Sequence, residues 1–70
     1  MDSDDIIVRD LGTRLARVHG YAAVGADALR FYLMHKATLP ARKVLAMRPA
    51  ELLDAYAAID GITRRSIRLH

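Results

Sequence analysis

Two sets of side chains in this 70-residue sequence are of the types that do chemistry: four early aspartates and three scattered histidines. Asp2, Asp4, Asp5 and Asp10 could share a cation or a proton, but no further group is spaced to converge on them. Carboxylates directly after Ser3 are what the positive pole of a starting helix attracts, so the cluster reads as a solvated helix start. His19, His35 and His70 lie 16 and 35 residues apart, far from the close spacing of a metal pair. The sequence has no Cys, which excludes disulfides and thiolate metal sites and fits a reducing compartment. There is no Ser, His and acid arrangement and no glycine-rich phosphate loop. The expectation is a non-enzyme with no metal and no cofactor.

What remains is chemistry of recognition. Arginines set among tyrosines and methionines are the composition of protein interfaces, because guanidinium forks pair with carboxylates and lie flat on aromatic rings. Formal net charge is +3, and its placement is segregated. Residues 1–10 hold four Asp against one Arg, whereas residues 11–48 hold seven Lys or Arg against Asp27 alone. Such polarity suits an anionic partner or head-to-tail pairing of two copies.

The elements that position these groups read as helices. Ile7, Leu11, Leu15 and Val18 recur at helical spacing, and with Gly20 as a left-handed stop they predict a first helix over about Asp4–His19. Gly12 inside it weakens the helix by up to about 1 kcal/mol relative to Ala, which marks a place where another helix crosses closely. A second helix is expected over about Ala22–Ala37, with Tyr21 to Gly25 ambiguous between helix and connection. Its stretch Ala26 to Lys36 holds the only Phe and the densest apolar run, and it wants neighbours on most sides. A short helix over Pro40–Met47 and a fourth over Pro49–Asp60 follow, with Gly61 closing the latter.

A chain this short buries only about 60% of the surface it would expose unfolded. Hydrophobic residues make up 53%, yet there is a single Phe and no Trp, so the core is thin. The predicted fold is therefore all-α, a small single-domain bundle of four to five short helices completed by homodimerisation. Leu11, Leu15, Phe31, Tyr32, Met34, Arg42 and Met47 are the expected dimer or partner contacts. No apolar run approaches the roughly 18 residues of a membrane span, and the acidic start is unlike a signal peptide, so a cytoplasmic protein is expected.

Ala57 to Arg68, AAIDGITRRSIR, resembles a bacterial helix-turn-helix. Ala57 stands four before the turn Gly61, then come Ile62, the cap Thr63 and the apolar anchor Ile67. The string from Gly61 to Arg68 is similar to the closing helix of the factor for inversion stimulation and related bacterial activators. The resemblance implies that Thr63, Arg64, Arg65, Ser66 and Arg68 would face DNA. Asp60 departs from it, since that position is apolar in the family and a buried carboxylate there would need a partner.

Two functions follow. The first is a small regulatory protein that binds and modulates, in the direction of inhibition, another bacterial protein; its composition resembles small regulators, antitoxin-like factors and phage-encoded takeover proteins of GC-rich bacteria. The second is a small DNA-binding regulator that uses the Ala57 to Arg68 segment.

Overall fold

The first helix forms where the acidic residues are. The structure, a computed structural model, describes residues 3–63 and 66–67, and among these it contains helices and no strand. α1 spans Ser3–His19, with Asp4 and Asp5 in its first turn and Arg17 and His19 in its last, each sign at the pole that favours it. Arg9 pairs with Asp5 at 2.9 Å and Arg14 with Asp10 at 3.3 Å. Exposed i, i+4 pairs of this kind add a few tenths of a kcal/mol each, about 0.2–0.5.

The buried line of α1 is Val8, Leu11, Gly12, Leu15 and Ala16. Val18, expected to extend it, is 76% exposed, and Ile7 is only half-buried. The cause is the next helix, which lies against Gly12 and so centres burial about a quarter-turn round from Val18. A Cβ on Gly12 would overlap the carbonyl oxygen of Gly25 and stand 3.2 Å from the amide nitrogen of Leu29. The close crossing expected at Gly12 is present.

α1 closes at Gly20, whose φ is 73°, with the Tyr21 N–H donating to the Ala16 carbonyl at 2.9 Å. The chain then doubles back, and the Gly25 N–H donates to Thr13 Oγ1 at 3.3 Å. Tyr21 to Val24 is therefore connection, and α2 spans Gly25–Lys36 rather than starting near Ala22. Gly25 has φ 59°, a turn that a continuous helix from Ala22 could not contain.

α2 then advances beside α1 in the same sense, since Gly25 meets Gly12 and Tyr32 meets His19. It also packs on both later helices, α3 over Ala41–Leu45 and α4 over Pro49–Asp60. Ala28, Leu29, Tyr32 and Leu33 are buried as a result. α1, α3 and α4 thus cover this face of α2, while Phe31 on the same helix is left 38% exposed.

α3 follows Pro40 and is shorter at both ends than the expected Pro40–Met47, with Val44 buried and Leu45 exposed. α4 has the expected bounds: Pro49 takes the first turn, and the Glu51 carboxylate accepts the Arg48 N–H at 3.0 Å. Gly61 at φ 67° ends it, and the Ile62 N–H returns to the Ala57 carbonyl at 3.0 Å.

Among the described residues four helices and a helical turn at Ser66 and Ile67 thus enclose one core, in a molecule 26 × 26 × 22 Å along its principal axes. Leu11, Leu15 and Tyr32, expected at a dimer interface, are buried within this core together with Leu33, Leu52 and Ile67. A second copy is not needed to cover them.

Candidate functional site

A row of rings runs across the ends of α1 and α2. His35 stands one turn after Phe31 on α2, with ring centroids 4.2 Å apart. Phe31 meets the edge of Tyr21 at 4.8 Å and 71°. Tyr21 stacks on His19 at 5.4 Å and 19°, and His19 leans on Tyr32 at 5.5 Å. The doubled-back connection causes this, because it folds Tyr21 over the last turn of α1 and against the face of α2 that the core leaves open.

Phe31 remains 38% exposed, and both histidines are exposed while Tyr21 is half-buried. Val24, in the same connection as Tyr21, is 67% exposed, and the cations Arg17 and Lys36 stand beside the row in sequence. Ring pairs at these separations hold one another in place, so the face presents rigid aromatic area at little further entropy cost.

The expected interface residues divide across the molecule. Phe31 and Arg42 are at the surface, Met34 and Met47 are half-buried against the core, and Leu11, Leu15 and Tyr32 are inside it. Phe31 lies in the aromatic row, whereas Arg42 lies on α3 with Lys43 and Pro40, so the set does not form one patch. Arg30 is turned inward, donating from Nη2 to the Met47 carbonyl at 3.3 Å. His19 and His35 were not among the expected contacts, and Tyr21 entered only as one of the tyrosines that give the chain an interface composition. The i, i+4 spacing of Phe31 and His35 was the available signal; the rest depends on the fold of the connection.

Of the helix-turn-helix positions, Ala57, Gly61, Ile62, Thr63, Ser66 and Ile67 are among the described residues. Ala57 is buried, Gly61 is left-handed, and Ile67 is 2% exposed. Thr63 caps the next turn, its Oγ1 accepting the Ser66 N–H at 3.3 Å and lying 3.2 Å from the Ser66 hydroxyl. Arg64, Arg65 and Arg68, the cations that the resemblance sends to DNA, lie outside the described residues.

Asp60 is exposed and partnered rather than buried: the Tyr32 hydroxyl donates to its Oδ1 at 3.1 Å. The Tyr56 ring lies 5.6 Å from that of Tyr32. Burial first, then hydrogen bonding to Asp60 and its charge, pushes the Tyr56 phenol up to about 12, and the same causes in the same order raise Tyr32. Tyr56 and Asp60 also border an open groove of about 550 Å³ between α1, α4 and the corner. Its walls are Leu11, Leu15, Val18, Ile62 and Ile67, with Arg14 on the α1 side.

Among the described residues no three His, Asp or Glu side chains converge as a metal site requires, and no helix is long and apolar enough to cross a membrane. The site's chemistry is that of contact: aromatic faces, a carboxylate held by a phenol, and flanking cations. Comparison with protein-family models, curated proteins and solved structures finds no match for this chain.

Proposed function

We propose that the chain is a small non-enzymatic regulatory module that binds another bacterial protein and inhibits it through the aromatic face. The observation that carries this reading is the ring row from His35 to His19, with Phe31 at its exposed centre. Large apolar side chains already locked by their neighbours act as anchors, because binding costs them little rotamer freedom. Arg17 and Lys36 beside the row give the partner's chemistry: an apolar pocket with an acidic rim. Self-association, where it occurs, uses this same face, since the core residues are already covered.

The second reading, DNA binding, is favoured by one specific observation, the corner from Ala57 to Ile67 with its Thr63 cap. Against it stands the Asp60 carboxylate, exposed next to the turn where a phosphate backbone would approach. Two variants separate the readings. Affinity capture from the native host, with mass spectrometry, should recover one partner with the wild type and with Arg64→Ala/Arg65→Ala. Phe31→Asp, with circular dichroism unchanged, should lose it. Duplex DNA binding that falls steeply with salt and vanishes in the double variant would overturn the protein-docking reading.

A further inference from the structure

We propose that the groove between α1, α4 and the corner binds a small organic cation, an ammonium group carried on a compact apolar body. The first observation is its shape and lining: an open groove of about 550 Å³ in which Val18 and Ile62 expose apolar surface over the buried Leu11, Leu15 and Ile67. The second is the charge at its rim. A helix C-terminus is a negative pole, and α1, α2 and α3 each carry basic residues in the last turn. α4 has none there, and its final residue is the carboxylate Asp60. Two sources of negative potential, the last carbonyls of α4 and Asp60, therefore coincide at the mouth of an apolar groove.

Tyr56 supplies the third element. Its phenol is held neutral well above ordinary pH, so its hydroxyl can point to Asp60 while its ring lines the groove. An aromatic face beside a carboxylate is a cation-binding pair, because the ring quadrupole and the anion attract the same charge. Arg14 also lines the groove and its charge reaches Tyr56, so it opposes a bound cation; its exposed pair with Asp10 at 3.3 Å offsets part of that repulsion. The ammonium head belongs at Asp60, and the apolar body covers Val18 and Ile62. This site meets the aromatic row at Tyr32, whose hydroxyl bonds Asp60, but the inference does not rest on the docking reading.

The test uses phenethylammonium, with the isosteric neutral 2-phenylethanol and the anion 3-phenylpropionate as competitors, followed by the methyl NMR signals of Val18, Ile62 and Ile67. The ammonium should bind about tenfold more tightly than either competitor, from the strength of hydrogen bonds to a charged group. Salt should weaken it. Asp60→Asn, which keeps an oxygen for Tyr32 to donate to, should lose that preference. Val18 is 76% exposed at the groove's edge, so Val18→Lys leaves the fold intact and should expel the cation by placing a charge at the rim, which keeps the test alive if Asp60→Asn unfolds. Equal binding of the alcohol, tighter binding of the anion, or an ammonium affinity unchanged by both substitutions would overturn the proposal. So would binding seen only in Arg64→Ala/Arg65→Ala, which would give the site to the chain's own arginines.

Discussion

Tyr32 reaches from α2 to a carboxylate on the last residue of α4, and Tyr56 approaches the same group from within α4. Ionising either phenol would place a second negative charge beside Asp60 in a partly dry site, so the folded state holds their protons more firmly than the unfolded chain does. The sign of the pH dependence follows. Both folded values lie above the ordinary value near 10, so the stabilisation is fully present below pH 10 and declines as pH rises, being lost for Tyr56 through about 12. Ultraviolet phenolate titration of the native protein should show these two tyrosines ionising late. In Asp60→Asn the delay should shrink without disappearing, since burial, the larger cause, remains. A delay left unchanged by that substitution would mean that the carboxylate contributes nothing.

At the scale of elements, the junction of α1 with α2 is backbone against backbone at Gly12 and Gly25. Gly12→Ala should destabilise the protein by about 2–4 kcal/mol despite the better helix propensity of Ala, because the new methyl meets a carbonyl that cannot rotate away. Gly20→Ala, where nothing lies within 4 Å, should cost only the left-handed backbone penalty of about 1–2 kcal/mol. Urea midpoints of the two variants would rank them, and a Gly12→Ala protein as stable as wild type would disprove the close crossing. That crossing was legible in the sequence as a glycine inside an otherwise good helix. So were the bounds of α4, where Pro49 and Gly61 act through local backbone geometry alone. The start of α2 was not legible, because Ala22, Ala23 and Val24 tolerate helix; what ends that possibility is the hydrogen bond from Gly25 to Thr13, twelve residues back. Val18 was misplaced for a related reason, since periodicity finds an apolar stripe but the position of α2 decides which edge of it is covered. The aromatic row joins two helices through a connection and has no period to detect. The groove cation site likewise needs α1 and α4 side by side.

For the whole molecule, the question is whether folding and association are one event. A 70-residue helical chain with little aromatic content has a strong reason to recruit a second copy, because its hydrophobic area is otherwise too small to offset chain entropy. Here α2 sits at the centre and touches every other helix, so Leu29, Leu33, Leu52 and Val44 are fully enclosed by a single chain. The apolar residues left outside, Phe31, Val18 and Val24 among them, are on the surface without being required for closure. Unfolding should therefore be independent of concentration. If the dimer were the folding unit, raising the protein concentration about a hundredfold would add about 2.7 kcal/mol of apparent stability and move the thermal midpoint upward by several degrees. The expected result is no shift, and Phe31→Asp should lower the midpoint only slightly while abolishing any self-association seen by sedimentation. A midpoint that climbs with concentration would place a second copy inside the folding unit and turn the aromatic face from a docking surface into part of an interrupted core.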